Sequence, residues 1–428
     1  MHRECSIMRP TSGLSALISL TIPLALSACS GQNKPPLEQR LQATLDDEIQ
    51  KCGVRGVSAA VVYPDETVWT GTSGISHDTV AMQPDMLFAV GSTTKNFVAA
   101  LALQLQEEGL LALDDPLSKW LPSYPHVDST ITIRQMLNHT SGIYMFWENQ
   151  KIWDALKADR TKVWTPEEVL SYIEEPYFAP GEGFRYSNTN YLLTAMIIEK
   201  ATGSTLASEF RRRFWRPLSI ENAFLSIQEE YRDNLAHVYG DNFDNDGSDR
   251  DLTALPRASH ESITFGSAGL FMTAKELARW SHALFEGDVL SRSSLDEMLR
   301  YTSFRPVAGM RAYGLGVQKY TRDLSCGKEA IGHAGGNIGP TTYMLHLPDY
   351  HTSVAVMINA FPNRCANAIT KGLTKTLLKE AGVPCLLPHF EFFPKGLLLL
   401  LGAAYLTVFV GYQVRRRRKA ALRREQGI

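Results

Sequence analysis

The sequence carries little net charge, no internal repeat and no cysteines at the spacing of a metal site. Its formal charge is −2 over 428 residues, and 21% of the residues are charged. This balance gives no electrostatic reason to expect a nucleic-acid partner. None of the six cysteines follows a metal-ligand spacing, so neither a metal nor another cofactor is predicted. The length is sufficient for two or three domains and for a core that folds without cross-links.

The first 28 residues have the pattern of a secretory signal peptide. A short charged start precedes an apolar stretch from Leu14 to Leu26, and small residues end it where the chain turns polar,. The small residues before Cys29 also match a bacterial lipobox, in which that cysteine becomes the lipidated first residue. Ordinary cleavage with an incidental Cys29 is the alternative, and both interpretations predict export. Residues 30–36 would then form a linker.

The other end of the chain has the pattern of a transmembrane helix. Residues 396–414 are apolar and uncharged, about the minimum for a spanning helix, and a basic run follows at once,. By the positive-inside rule the tail 415–428 lies in the cytoplasm and the preceding domain faces outward. This predicts a protein of the bacterial inner membrane with its main domain in the periplasm. A buried core helix over the same residues is the alternative.

Strand patterns occur near both ends of the main region, and helix patterns fill its middle. The predicted terminal elements are a helix over 37–50, a hairpin over 57–69, strands over 314–320, 329–333, 341–347 and 353–359, and a helix over 366–380,. The sequence therefore predicts an α+β fold. One antiparallel sheet is built from both termini and flanked by helices, and a mostly helical subdomain is inserted at roughly 105–300.

A serine and a lysine lie at the start of a predicted helix. Ser92 follows a strand-like run at the point where the helix pattern begins, and Lys95 lies three residues on. These positions share a helical face, so Lys95 can take the proton of the Ser92 hydroxyl if burial keeps the amine neutral. The helix N-terminus also favours developing negative charge. The alternative for any single S-x-x-K is a capping serine beside a solvated lysine.

The same motif occurs a second time, at Ser325 and Lys328. Gly327 and the strand pattern that follows leave no helix on which this pair would share a face. We therefore predict that the second copy has no catalytic role.

Two further segments carry polar groups that an attacking serine needs. Tyr186 lies before a helix, where its phenol can pass a proton to the leaving group, and the Asn188 amide can hold a substrate carbonyl,. His333 and Gly335 lie at the end of a predicted strand, whose small residues let a substrate backbone pair along its edge. His333 would supply a hydrogen bond or a positive charge near Tyr186.

An oxyanion hole is predicted where the last of these segments meets the nucleophile. The backbone N–H of Gly336 would form it together with the N–H of Ser92,.

In this order the segments resemble the motif set of the serine β-lactamase and penicillin-binding-protein superfamily. The branch that they resemble most contains class C β-lactamases, D-alanyl-D-alanine carboxypeptidases, D-aminopeptidases and related esterases. Residues 131–142, 180–181 and 267–270 are also similar to that branch, and the resemblance spans about 37–387. It implies a β-lactamase/transpeptidase-like fold and a serine hydrolase that works through an acyl-enzyme.

The third segment departs from the family pattern. The third motif of this superfamily is K-T-G, and here His333 and Ala334 stand in the places of its lysine and threonine. Loss of the threonine removes one hydroxyl contact to a substrate carboxylate. With histidine at this position, the motif resembles that of the peptidases in the branch. The resemblance therefore implies a small-molecule or peptide substrate, with D-amino-acid-containing peptides favoured over β-lactams and esters. An inactive module that binds peptidoglycan fragments is an alternative of a different class.

The family topology also implies two disulfides, Cys52–Cys365 and Cys326–Cys385. The residues alone allow three pairings of these four cysteines, and also free thiols,.

Two weaker patterns stay open. Residues 242–247 resemble the start of a calcium loop, but Thr253 stands where a bidentate Glu is expected, which favours a solvated acidic loop,. Tyr144, Phe146 and Trp147 either wall a substrate cleft or pack the inserted subdomain.

Overall fold

The structure is a computed structural model that describes residues 34–240, 249–304, 310–360 and 363–385. The predicted signal peptide, Cys29, the span 396–414 and the acidic loop 242–247 lie outside these residues. Across the described ranges, no helix has the length and apolar character needed to cross a membrane.

The helices lie at both ends and throughout the middle of the part of the chain that the structure describes. They are α1 (Leu37–Cys52), α2 (Thr94–Glu107), α3 (Leu117–Trp120), α4 (Ile133–Leu137), α5 (Gln150–Ala158), α6 (Pro166–Leu170), α7 (Asn188–Thr202), α8 (Leu206–Phe210), α9 (Ala258–Thr264), α10 (Ala274–Glu286), α11 (Arg292–Met298) and α12 (Asn363–Glu380). Several begin with side-chain caps, such as the capping boxes of Thr132 and Thr165,.

The strands divide between the two termini and the inserted region. They are β1 (Gly56–Val62), β2 (Val68–His77), β3 (Val80–Ala81), β4 (Phe88–Ala89), β5 (Ala223–Leu225), β6 (Tyr239–Gly240), β7 (Arg250–Asp251), β8 (Leu270–Met272), β9 (Met310–Tyr313), β10 (Gln318–Tyr320), β11 (Ile331–Gly336), β12 (Thr341–Leu347) and β13 (Thr352–Ile358).

The main sheet joins the first and the last strand of the described residues, as predicted. Its strand order is β3-β2-β1-β13-β12-β11-β10-β9, and its neighbours pair antiparallel. Val57 lies opposite Ile358 where the first strand meets the last. The α+β class and the flanking terminal helices are therefore confirmed.

Both faces of the sheet are covered. Val57, Ala59 and Val61 pack in one core with α1 and α12, whereas Ala60 and Val62 point into the larger core on the other face. This second core contains α2, α7 and α10. Because β1 is buried on both faces, its sequence is apolar except for Ser58 and does not alternate,.

The sequence misplaced two features of this framework. Residues 314–320 do not form one strand, because Gly316 has φ +64 and a turn separates β9 from β10,. The inserted region also contributes two strands, β5 and β8, that the mostly helical pattern did not predict; with β4 they form a small sheet in the order β4-β8-β5. This small sheet carries the chain into the nucleophile turn.

One of the two implied disulfides is present. Cys326 and Cys385 are bonded, which ties the end of α12 to the loop before β11. The implied Cys52–Cys365 bond is wrong for this structure, because both residues are thiols. They are neighbours, but the Cys365 thiol donates to the Cys52 carbonyl oxygen at 3.7 Å instead of meeting its sulfur.

Candidate active site

Ser92 lies in a tight turn between β4 and α2. A 3-10 turn over Gly91–Thr93 precedes the helix, and Ser92 is partly exposed. Gly91 has φ +55, and a Cβ there would lie 2.4 Å from the Gly336 carbonyl oxygen. Glycine is required here because the turn has a left-handed residue and touches β11. The close contact brings Ser92 to the end of that strand.

Lys95 is fully buried beneath the serine. Its Nζ lies 3.0 Å from Ser92 Oγ and 2.9 Å from the Ser267 carbonyl oxygen. Burial holds the pKa of the Lys95 ammonium well below its usual value,. No carboxylate of the described residues forms an ion pair with it to oppose this shift. A neutral Lys95 can accept the serine proton.

Tyr186 covers the pair from the opposite side. Its ring centroid lies 4.9 Å from Lys95 Nζ. Burial raises the pKa of the Tyr186 phenol, which outweighs the opposite effect of the neighbouring Ser92 side chain,. The tyrosine is therefore a proton donor at neutral pH, and the lysine is the better candidate base.

Asn188 lies at the first turn of α7, close behind Tyr186. The residue is 8% exposed, its backbone N–H points to the Met145 sulfur at 2.9 Å, and its side-chain Oδ1 has no hydrogen-bond partner among the described residues. A buried carbonyl oxygen without a donor carries a desolvation cost of about 1–3 kcal/mol. The Asn188 amide is thus free to receive an N–H group.

His333 lies on β11 as predicted, with its ring centroid 6.4 Å from that of Tyr186, but its side chain is enclosed. It is 0% exposed, its Nε2 lies 3.0 Å from the Tyr313 hydroxyl, and its Nδ1 lies 2.6 Å from the Ala334 carbonyl oxygen. Burial and the nearby Lys95 lower its pKa to about 3,. Of the two expected roles near Tyr186, a hydrogen bond or a positive charge, the structure does not support the charge, and the enclosed imidazole is not exposed for the predicted substrate contact.

Gly335 and Gly336 bring the edge of β11 against the nucleophile turn. A Cβ at Gly335 would lie 2.0 Å from the Val90 carbonyl oxygen and 3.0 Å from the Ser92 nitrogen. Only glycine allows this approach. Gly336 is exposed at the end of the strand beside partly exposed Ser92, so both backbone segments predicted to form the oxyanion hole border one open position.

The structure shows two environments within the aromatic segment Tyr144–Trp147, for which the sequence left a cleft wall or a core role open. Phe146 is fully buried and packs in the core of the inserted region, whereas Tyr144 and Trp147 are partly exposed. Tyr144 stacks on Tyr177 with ring centroids 5.5 Å apart. The segment therefore contributes both to the core and to an aromatic surface.

Three residues of this region were not singled out from the sequence. Ser267 and His139 lie in segments noted only for family resemblance, and Tyr313, which hydrogen-bonds His333, lies in β9 with no signal around it. The predicted absence of a metal site stays a prediction. Among the described residues, no group of three His, Cys, Asp or Glu side chains is placed to hold a metal ion.

A partly exposed serine, a buried neutral lysine and a protonated tyrosine define a serine hydrolase with a lysine base. The chain belongs to the Beta-lactamase family, whose model matches residues 39–374. Two solved structures of the same fold cover most of the chain. A D-stereospecific amidohydrolase from Streptomyces sp. is 30% identical with a TM-score of 0.67, and covers 77% of this chain and 97% of its own.

The second is a D-amino acid amidase from Ochrobactrum anthropi SV3, 25% identical with a TM-score of 0.70. It covers 81% of this chain and 99% of its own. Among curated proteins, penicillin-binding protein 4* of Bacillus subtilis (strain 168) is 27% identical over 65% of this chain. Esterase EstB of Burkholderia gladioli is 31% identical over 45% of it. The chain spans only 62% and 53% of the lengths of these two relatives.

Proposed function

We propose that this serine hydrolase cleaves amide bonds in peptides or amides that contain D-amino acids, through an acyl-enzyme on Ser92. The observation that carries the chemistry is the buried Lys95 Nζ, 3.0 Å from Ser92 Oγ, with its pKa lowered by burial. A base in that state can accept a proton at neutral pH, which an ordinary lysine cannot.

The acylation step follows from these positions. Lys95 takes the hydroxyl proton as Ser92 Oγ attacks the substrate carbonyl carbon. The N–H groups of Ser92 and Gly336 receive the developing oxyanion. The C–N bond then breaks, and the leaving amine takes a proton from Tyr186, which regains one from Lys95. The amine departs, and the acyl group stays on Ser92.

Deacylation uses the same groups in reverse. A water molecule gives a proton to the Lys95–Tyr186 pair and attacks the acyl carbon. The acid leaves, and the proton returns to Ser92 Oγ. No cofactor is needed to balance either step.

The substrate class rests on two supports. The two solved relatives named above are a D-stereospecific amidohydrolase and a D-amino acid amidase. The Asn188 Oδ1 is a buried acceptor without a donor, and an amide substrate brings the N–H that an ester lacks,.

A substrate panel on the full-length protein tests this proposal. We expect turnover of D-phenylalanine amide to exceed that of L-phenylalanine amide by about tenfold or more. Rapid nitrocefin hydrolysis without amide cleavage would instead indicate a β-lactamase, and hydrolysis of p-nitrophenyl acetate alone an esterase. If a fluorophosphonate probe labels nothing, the inactive binding module becomes the better description.

We also propose that the protein is exported and anchored in the bacterial inner membrane with its catalytic domain in the periplasm. The supports are the signal-peptide pattern of residues 1–28, the lipobox cysteine Cys29, and the apolar span 396–414 with its basic tail,. Proteinase K added to spheroplasts should digest the catalytic domain and leave a C-terminal tag protected. Digestion of the tag, or protection of the domain, would contradict this orientation.

A further inference from the structure

His139 is a buried histidine directly behind Tyr186. It follows α4 in a left-handed conformation with φ +62, and it is 0% exposed. Its ring centroid lies 4.2 Å from that of Tyr186 and 4.9 Å from that of Tyr313. The histidine therefore fills the space between the proposed proton donor and the β9 strand.

His139 holds the backbone on both sides of Tyr186. The Arg185 N–H donates to the His139 carbonyl oxygen at 3.1 Å, and the Ser187 N–H donates to His139 Nδ1 at 3.2 Å. One residue thus fixes the position before the tyrosine, the position after it and one face of its ring.

A buried hydrogen-bond chain fixes the orientation of the imidazole. The Ser141 hydroxyl donates to Asn190 Oδ1 at 2.7 Å, which turns the Asn190 amide nitrogen toward His139 Nδ1 at 3.1 Å. Because Nδ1 accepts from two donors, the ring proton must lie on Nε2. Within the described chain Nε2 has no hydrogen-bond partner.

An unmatched buried N–H is costly, and an apolar ring would avoid that cost. An apolar ring would also lack the Nδ1 acceptor for Ser187. The histidine therefore keeps the Nδ1 acceptor for the Ser187 N–H at the expense of a buried Nε2–H without a partner.

We infer that His139 is the positioning residue for Tyr186: it sets the place of the phenol relative to Ser92 by bracketing the tyrosine from Arg185 to Ser187. It touches neither the nucleophile nor, in the proposed mechanism, the substrate. The inference rests on the proposed proton transfer by Tyr186 and does not depend on which acyl group is cleaved.

Two substitutions separate the acceptor from the ring. His139→Ala removes both. His139→Asn keeps an acceptor at the place of Nδ1, and Asn tolerates the left-handed backbone. With D-alanine p-nitroanilide as substrate for the full-length protein, we expect His139→Ala to lower kcat by about 100-fold with KM changed less than about threefold. His139→Asn should recover to within about tenfold of the wild type.

The leaving group supplies a readout that a general loss of structure would not move. An anilide must be protonated as it leaves, whereas p-nitrophenolate leaves as an anion. His139→Ala should therefore slow p-nitrophenyl acetate hydrolysis by less than about tenfold.

His282 on α10 offers a matched control. It is 8% exposed and also has a ring nitrogen without a partner in the described residues, so His282→Ala should slow both substrates equally, if at all.

A double-mutant cycle completes the test. If His139 acts through Tyr186, His139→Ala should cost less than about threefold in a Tyr186→Phe background. A cost of about 100-fold in both backgrounds would overturn the inference. A crystal structure of His139→Ala decides the matter even if the anilide is not a substrate. A displaced Tyr186 hydroxyl supports the inference, and an unmoved one refutes it. An error in the proposed substrate class would instead show only in the substrate panel described under Proposed function.

Discussion

The chain contains the same four-residue motif twice, and the structure makes the two copies opposite in almost every respect. In the first, Ser92 is partly exposed and Lys95 is 0% exposed. In the second, Ser325 is 0% exposed and Lys328 is partly exposed. A nucleophile must be accessible to substrate and its base must be desolvated, so only the first copy has the required exposed serine and buried lysine.

Local backbone geometry produces this inversion. Ser92 and Lys95 flank the start of α2, where they share a face and the lysine Nζ reaches the serine hydroxyl at 3.0 Å. In the second copy a 3-10 turn ends at Ser325, and Cys326 and Gly327 have φ +51 and +86. The Ser325 hydroxyl donates to the Lys328 carbonyl oxygen at 2.6 Å instead. The motif becomes a turn that leads into β11.

The first prediction separates the two serines by activity. Ser92→Ala should reduce kcat by about 10⁴-fold or more and abolish fluorophosphonate labelling, because it removes the attacking oxygen. Ser325→Ala should leave both unchanged, since its hydroxyl closes a turn. Hydrolysis rates and in-gel fluorescence of the two full-length variants check this. Labelling that persists in Ser92→Ala would refute the nucleophile assignment.

The second prediction separates the two lysines. Lys95→Met should lower kcat by about 10³-fold, because general-base catalysis is lost. Lys328→Met should not alter the rate. In the wild type, kcat/KM should rise with pH as Lys95 loses its proton, at a pH well below the usual lysine pKa of 10.5. A rise of kcat/KM that occurs only near pH 10.5 would contradict a lysine base with a lowered pKa,.

The same buried lysine should affect stability with a defined sign. Between its lowered pKa and the ordinary pKa of 10.5, the unfolded chain binds a proton at Lys95 that the folded protein does not. The free energy of unfolding should therefore rise with pH across that window. In Lys95→Met the slope should be shallower, and the variant should melt above the wild type at neutral pH. Thermal unfolding at several pH values measures both.

The third prediction concerns the cross-link beside the second copy. Cys326 and Cys385 are 59 residues apart, so replacing both with Ser should lower the free energy of unfolding by about 2–4 kcal/mol. The rate at saturating substrate should stay the same, because the disulfide lies before the start of β11, whereas the contact with the Ser92 turn is at Gly336, the end of that strand. Urea unfolding with and without dithiothreitol gives an independent comparison. A large loss of kcat would show that the turn controls the position of β11.

Sequence reasoning located the main sheet and the Ser92–Lys95 pair because both depend on local patterns. Short stretches of sequence determine strand periodicity, the start of a helix and the three-residue spacing of the pair. The discarded Ser325 copy was recognised by the same means, since Gly327 prevents a helix.

The features that were missed depend on contacts between distant segments. His333 was expected to supply a hydrogen bond or a positive charge near Tyr186, but its Nε2 pairs with the hydroxyl of Tyr313, twenty residues earlier, in a closed interior. The role of His139 depends on three segments that meet only in the fold. The Cys52–Cys365 pair lies side by side as expected, yet side-chain direction, which no pattern encodes, points the thiol to a carbonyl.

The smallest expected effect tests whether the second copy is structural. The Ser325 hydroxyl is buried and donates to the Lys328 carbonyl oxygen, so Ser325→Ala leaves that oxygen without its donor. We expect the free energy of unfolding to fall by about 1 kcal/mol. Ser293, exposed on α11, is a matched control whose replacement by Ala should change it by less than about 0.5 kcal/mol. Equal effects at both positions, measured by urea unfolding, would mean that the turn does not need this hydroxyl. The motif would then have no role at its second position, catalytic or structural.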